Sequence, residues 1–285
     1  MSDKKHLTFS ILVCAWEEEK MIEHCIKHIL SLDYPKKNIE IIVSCDSNTA
    51  KLIREYPVKI LVEKERAGKW NALTNMIKKS TGDILIINDA DSFLFPLYAL
   101  YDLEKDFNKN PKLGGLVFGY LKTTDEIKGN FWTFIDYLIT DLSFYYRLLK
   151  YPIKDFKQVT FPILTNVFRN KIEKIEAIND DAEISLKLLQ MGYELDYAPY
   201  IYFYSLHGTS TNISDFIKQK VRINTGWLQL KKKYGLDFTN YYLEMGFLVA
   251  KTIFYLMIWP LGYAYSMLKA YFKKPEVKVW EKIKR

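Results

Sequence analysis

Ile84-Leu85-Ile86-Ile87-Asn88-Asp89-Ala90-Asp91-Ser92 is an apolar run that ends in two carboxylates one residue apart. Four consecutive aliphatic side chains read as a strand buried on both faces, the pattern of a parallel sheet. Open α/β sheets bind ligands just beyond the carboxyl ends of such strands. Two aspartates there can share a hard divalent cation whose other oxygens come from water or substrate phosphates. The same two residues also suit an ordinary turn, so their neighbours decide.

Outward from this run, strand and helix patterns alternate. Phe9–Ala15 reads as a strand; Met21, Ile22, Cys25, Ile26, Ile29 and Leu30 then recur at helical spacing until Asp33-Tyr34-Pro35 stops them. Ile39–Cys45 and residues 58–62 are the next strands, Lys69–Lys79 is a helix, 83–88 is the opening strand, and 116–120 is another. Such βαβ alternation predicts a mostly parallel central sheet with helices on both faces. The second half is mixed. Residues 130–150 are aromatic-rich and helical in pattern, and 158–169 are a strand or a loop crossing under the site. A helix over 181–190 closes at Gly192, a strand over 193–197 ends at Pro199, and 213–233 form a long helix.

A chain of 285 residues holds one large or two small domains. With 49% hydrophobic residues it is globular, not disordered. Cys14, Cys25 and Cys45 form no CxxC pair, and Cys14 and Cys45 sit at apolar strand positions. They read as small core residues of a reducing compartment rather than zinc ligands or disulfides. The residues before the first strand hold no apolar stretch long enough for a secretory signal, so the catalytic part is expected in the cytosol. The net charge of +7 would suit nucleic acid, but several lysines crowd the C-terminal end beside a hydrophobic segment. That arrangement points to an anionic membrane surface and away from nucleic acid.

Further segments stand in order around Asp89-Ala90-Asp91. Ile11-Leu12-Val13-Cys14-Ala15-Trp16-Glu17-Glu18-Glu19 pairs a strand with an acidic turn; Asp33-Tyr34-Pro35, Val43-Ser44-Cys45-Asp46-Ser47-Asn48-Thr49 and Gly68-Lys69-Trp70-Asn71-Ala72-Leu73 follow. Over roughly residues 8–230 this series resembles glycosyltransferase family 2, the inverting nucleotide-sugar enzymes of the GT-A fold, Rossmann-like with a mostly parallel sheet. Cys45 replaces the first Asp of the family's V-D-D-G-S-T segment. The resemblance implies that Asp46 accepts the imide N–H of the nucleotide base, favouring a uracil-type edge. It implies that Asp89 contacts ribose or metal and that Asp91 ligates Mn²⁺ or Mg²⁺ bridging the two phosphates of the donor, stabilising the leaving group. Lys69 opens a helix, so its charge and the helix N-terminus would face the diphosphate; Arg66 is a further phosphate candidate. Taken alone, Asp46 also reads as a turn residue and Lys69 as a surface lysine.

An inverting transfer needs a carboxylate to deprotonate the acceptor hydroxyl. Asn179-Asp180-Asp181-Ala182-Glu183-Ile184-Ser185-Leu186 resembles the family's E-D-x-D/E-L-S-L helix start, with Asp180 in place of Glu, which makes Asp181 the general base. An Asp here also caps a helix and complements its dipole. Gln219-Lys220-Val221-Arg222-Ile223 resembles Q-x-x-R-W, so Gln219 and Arg222 would help bind the diphosphate; Ile223 in place of Trp weakens any case for processive synthesis. His207 would complete the metal shell by the same resemblance, or is a plain loop histidine. Between Arg169 and Asp180 the chain is shorter than the family pattern and lacks its Gly-Gly, so acceptor contacts do not carry over.

Residues 1–235 thus read as the catalytic domain and 236–285 as a hydrophobic helical segment with a basic tail. Residues 245–268 are nearly continuous apolar sequence, interrupted by Lys251, Pro260 and Gly262. A simple span would carry Lys269, Lys273, Lys274, Lys278 and Lys282 away from the cytosol, against the positive-inside rule. Pro260 divides the stretch into halves too short to span. An in-plane or re-entrant pair of helices, with the basic tail on anionic headgroups, is therefore expected, and a buried core pair is the alternative. Aromatics at Phe131, Trp132, Phe134, Tyr137, Phe144, Tyr145 and Tyr146 would add a second membrane-facing surface or pack in the core.

Together these features predict a metal-dependent, inverting hexosyltransferase at the cytoplasmic face of a membrane. Its expected donor is a UDP-sugar and its expected acceptor a membrane-associated or lipid-linked glycan. Two alternatives remain. A sugar-1-phosphate nucleotidyltransferase would want a Gly-rich basic loop where Trp16-Glu17-Glu18-Glu19 stands, and a non-catalytic membrane-docked carbohydrate-binding protein would have no use for the carboxylate set.

Overall fold

The computed structural model describes residues 6–122, 142–205 and 213–272. Its centre is an eight-stranded sheet built from β1 (Phe9–Ala15), β2 (Ile39–Cys45), β3 (Lys59–Val62), β4 (Ile84–Asp89), β5 (Ser92–Phe95), β6 (Leu113–Lys122), β7 (Val167–Arg169) and β8 (Glu194–Ser205). The spatial order is β3-β2-β1-β4-β7-β6-β8-β5. The first four positions are parallel, with Phe9 beside both Ile39 and Ile84 and Cys14 beside both Ser44 and Asp89. β7 runs antiparallel to β4 and β6, β8 parallel to β6, and β5 antiparallel to β8. The carboxyl ends of β1, β2 and β4 therefore lie side by side.

The opening run forms this strand because both its faces are covered. Ile84 and Ile86 pack in one cluster with Phe9, Ile11 and Val13, and with Ile22, Cys25, Ile26 and Ile29 of helix α1 (Ile22–Ser31). Leu85 is buried too, outside that cluster. Each such aliphatic side chain contributes roughly 1.5–3 kcal/mol when fully buried. Helix α2 (Ser47–Leu52) follows β2, α3 (Lys69–Lys79) packs against β1 and β2, α4 (Ala99–Lys109) precedes β6, and α5 covers residues 142–148. α6 (Asp180–Gln190) packs against β6 and β8, and α7 is Ile213–Tyr234. Contacts divide the chain into two compact units, Met1–Phe238 and Thr239–Arg285.

Three elements lie outside the sequence expectations: α2, β5 and α4. The predicted end of a strand at Pro199 is also corrected, because β8 continues through it to Ser205. Tyr197 pairs with Val117 and Tyr202 with Gly119, so the residues around Pro199 bulge out of the ladder where the missing N–H is not needed. Of residues 158–169 only Val167–Arg169 is strand. The expected helix pair at Pro260 is instead one helix, α8 (Thr239–Phe272), which continues through that proline. Proline's fixed φ is helical, so a long helix loses one hydrogen bond there without ending. Among the described residues no helix is long and apolar enough to cross a membrane. His207, Phe131, Trp132, Phe134, Tyr137 and the lysines beyond Phe272 lie outside the described residues.

Candidate active site

The carboxyl ends of β1, β2 and β4 open into a cleft of about 330 Å³. Trp16 and Glu18 enter it from the turn after β1, Ser44 from β2 and Glu63 from just past β3. Lys69 comes from the start of α3, Asp89 and Asp91 from the end of β4, and Arg66 and Arg222 complete the charged lining. The side chain of Asn88 shapes the β4 end. Its buried Nδ2 donates to Asp89 O at 2.7 Å and Ser92 O at 3.0 Å, curling the chain so that Asp89 and Asp91 both face the cleft. Gly68 supports the approach of α3, since its φ of 94° favours glycine.

Lys69 Nζ donates to Asp89 Oδ1 at 2.7 Å. Desolvation opposes its charge, but Asp89 and Asp180 hold the ammonium well above the ordinary lysine range. The lining counts four carboxylates (Glu18, Glu63, Asp89, Asp91) against three cations (Arg66, Lys69, Arg222). A diphosphate entering this field gains from an added cation. Among the described residues no cluster of three His, Cys, Asp or Glu could hold a metal by itself. The donor set still fits Mg²⁺ or Mn²⁺, which one or two carboxylates hold together with substrate phosphates and water.

Asp46 is placed differently. It caps α2, accepting Asn48 N at 2.8 Å and Thr49 N at 3.2 Å on Oδ1. Its Oδ2 accepts Glu17 N at 2.9 Å and Thr49 Oγ1 at 2.7 Å. Desolvation works against ionisation, yet these bonds hold the carboxyl well below the usual range. The bond from Glu17 pins the turn after β1, where Glu17 takes a φ of 59°, a left-handed conformation uncommon for a non-glycine residue. Asp46 does not line the cleft.

Two neighbouring carboxylates, Asp180 and Asp181, open α6. Asp180 is buried and Asp181 half-buried. Burial raises both carboxyls, and Asp180 raises Asp181 further, to about 6. Lys69 opposes both shifts, so the start of α6 lies within reach of the cleft's lysine. Arg147 of α5 also lowers Asp181. Two contacts fix α6. A Cβ on Gly226 would lie 2.4 Å from Asn179 Oδ1, so α7 packs its glycine directly on the side chain that precedes α6. Fully buried Glu183 accepts Glu176 N, Ala177 N and Lys233 Nζ within 2.7 Å, tying α6 and its preceding loop to the end of α7.

The structure thus brings Lys69, Asp89, Asp91 and Arg222 to one cleft. Gln219 sits one helical turn before Arg222 outside the lining, and Asp181 lies beyond the lining on α6. Trp16, Glu63 and the buried Asp180 join the candidate set without a sequence-level assignment. Trp16 and Glu63 each follow a strand's carboxyl end within one or two residues, which was the available signal.

Fold and cleft define a GT-A-type α/β protein with a carboxylate pair and three cations at the sheet's switch point. The chain belongs to glycosyl transferase family 2, whose profile matches residues 10–170, more than half of it. It is therefore a glycosyltransferase. Poly-beta-1,6-N-acetyl-D-glucosamine synthase of Staphylococcus epidermidis is 35% identical over 112 residues, covering 38% of this chain and 27% of that protein. The chain spans less than half the length of the curated relatives it matches. The mannosyltransferase PcManGT from Pyrobaculum calidifontis, solved with GDP-Man and Mn²⁺, superposes with a TM-score of 0.60 at 18% identity, covering 80% of this chain and 65% of that one. TarS residues 1–349 of S. aureus, solved with UDP-GlcNAc, gives 0.52 at 14% identity over 71% and 60%. At these identities the solved structures establish the fold.

Proposed function

We propose that this glycosyltransferase is inverting and metal-dependent, and moves a hexose from a UDP-sugar to a hydroxyl of a membrane-associated or lipid-linked glycan. The observation that carries this reading is the shared cleft of Lys69, Asp89, Asp91 and Arg222, with the raised carboxyl of Asp181 on the neighbouring α6. Lys69 and Arg222 hold the diphosphate and offset the charge it gains as the sugar departs. Asp181 takes the acceptor hydroxyl's proton while that oxygen attacks the anomeric carbon from the face opposite the leaving group. The new C–O bond forms as the bond to the β-phosphate breaks. Asp89 and Asp91 would hold Mn²⁺ or Mg²⁺, which when bound supplies Lewis-acid stabilisation of the leaving diphosphate.

Solved relatives with GDP-Man or UDP-GlcNAc and with Mn²⁺ support a nucleotide-sugar donor and a divalent metal. The apolar α8 supports work at a membrane surface, which in this proposal is the cytoplasmic face. Transfer from radiolabelled UDP-sugars with Mn²⁺ tests the whole. Asp181→Asn is expected to lower kcat by about 10²–10⁴-fold while UDP still binds, and Asp91→Ala to abolish Mn²⁺-stimulated turnover. Full turnover by the Asp181 variant removes the base assignment, and chelator-resistant activity removes the metal. Flotation with anionic liposomes tests the membrane placement.

A further inference from the structure

We propose that Asn179 is a positioning residue for the transfer: its carboxamide clasps α7 to the start of α6 and sets the spacing between Arg222, on the diphosphate, and Asp181, on the acceptor hydroxyl. This rests on the donor and base readings above. Asn179 stands at the N-cap of α6, where asparagine ordinarily bonds the free N–H groups of the first turn. Here its side chain makes no such bond. Asp181 Oδ1 accepts Ala182 N at 2.7 Å instead, and the side chain of Asn179 turns to α7.

There its Nδ2 donates to Ile223 O at 3.1 Å. Ile223 lies in the middle of α7, whose own ladder already uses that carbonyl, so the bond serves the neighbour and not the helix. The same carboxamide rests on Gly226, where a Cβ would meet Oδ1 at 2.4 Å, Cγ at 2.5 Å and Nδ2 at 2.9 Å. A second bond runs the other way: Ile178 N donates to Gln229 Oε1 at 3.2 Å. Each element thus puts one side chain on the other's backbone. Ile223 follows Arg222 directly and Asn179 stands two residues before Asp181. One side chain therefore joins the backbone beside the cleft's arginine to the backbone beside the proposed base. Arg222 is also close enough to the start of α6 to lower the carboxyl of Asp180. In-line attack needs the base and the diphosphate clamp in place together, and a misplacement of about 1 Å can cost roughly 10²-fold in rate.

Three measurements on Asn179→Ala, Gly226→Ala and the double variant of the full chain test the assignment. They are the kinetics of transfer from the radiolabelled UDP-sugar that the wild-type chain uses, calorimetric binding of UDP with Mn²⁺, and thermal melting. Asn179→Ala removes the clasp, and Gly226→Ala displaces the carboxamide from the other side. Each is expected to lower kcat about 10- to 100-fold, while UDP affinity and the pH at which kcat falls in acid stay at their wild-type values. Both break one contact, so the double variant should turn over no more slowly than the slower single. Its new Cβ fills the space that the carboxamide leaves, and alanine suits a helix better than glycine, so it should melt no lower than Asn179→Ala. Stability kept without turnover is the mark of a positioning role. Unchanged kcat in both single variants overturns the proposal and leaves the donor and base readings standing. So do losses that multiply in the double variant, turnover restored in it, or UDP affinity that falls with kcat. A wild-type chain that transfers from no UDP-sugar overturns the donor reading and this inference together.

Discussion

Carboxylates at the end of β2 and at the start of α6 meet opposite treatment. Asp46 takes four hydrogen bonds from its surroundings and is held in its ionised form. Asp180 and Asp181 are more deeply set, lie side by side, and are pushed towards the protonated form by burial and, for Asp181, by its neighbour's charge. The first arrangement fixes backbone; the second stores proton affinity. The proposed base falls at the second, because a base works best with a pKa near the operating pH. A carboxylate already satisfied by the protein is a poor one.

The largest expected effect breaks the α6 side of this comparison at its foundation. Glu183 is fully buried and gathers Glu176 N, Ala177 N and Lys233. Glu183→Ala leaves Glu176 N and Ala177 N without their acceptor and Lys233 with Glu176 alone, and should destabilise the fold by about 3 kcal/mol. Denaturant unfolding checks this; a loss below about 1 kcal/mol would show that α6 is held by apolar packing alone.

Asp46→Ala should cost less, about 1–2 kcal/mol for a lost cap, because α2 is short and its end is solvated. Desolvation opposes ionisation of Asp46, but its hydrogen bonds dominate and lower its folded pKa. Its contribution is therefore present above the ordinary carboxylate range and fades as pH falls towards its folded pKa. The wild-type and Asp46→Ala melting temperatures should accordingly differ at neutral pH and converge in strong acid. If they stay apart there, the cap does not act through its charge.

The parallel half of the sheet is legible in the sequence because its strands are buried on both faces. Ile84–Ile87 can only be such a strand, and Lys69, Asp89 and Asp91 follow from where the strand and α3 begin and end. The mixed half is less so. β8 passes through Pro199 because its own residues bulge there and its ladder with β6 resumes at Tyr202, and that pairing is information held in another part of the chain. α4 carries Ala99, Leu100, Leu103 and Phe107 on one buried face, a helical period present in the sequence but masked by the interspersed charges. Glu63 is the clearest case. It follows directly on a four-residue strand of mixed exposure, and only the register against Ser44 and Cys45 turns an ordinary glutamate into a wall of the cleft.

The finest test separates the two causes acting on Asp181. Burial comes first and Asp180 second, and both raise its carboxyl. As a base, Asp181 must be deprotonated, so kcat should fall as pH drops through about 6 rather than through the ordinary carboxylate range. Asp180→Asn removes the neighbouring negative charge without emptying the site. It should move that acid limb to lower pH, while remaining burial keeps it above the limb of an exposed aspartate. Lys69 and Arg222 then lose a counter-charge at Asp180, so diphosphate should bind no less tightly in the variant. Stability supplies an independent readout. A folded pKa raised above the unfolded one contributes stability at acid pH that is lost as pH rises through the folded value. Asp180→Asn should therefore narrow the difference in melting temperature between pH 5 and pH 7. An acid limb that stays in place while this difference narrows would mean that a group other than Asp181 takes the proton.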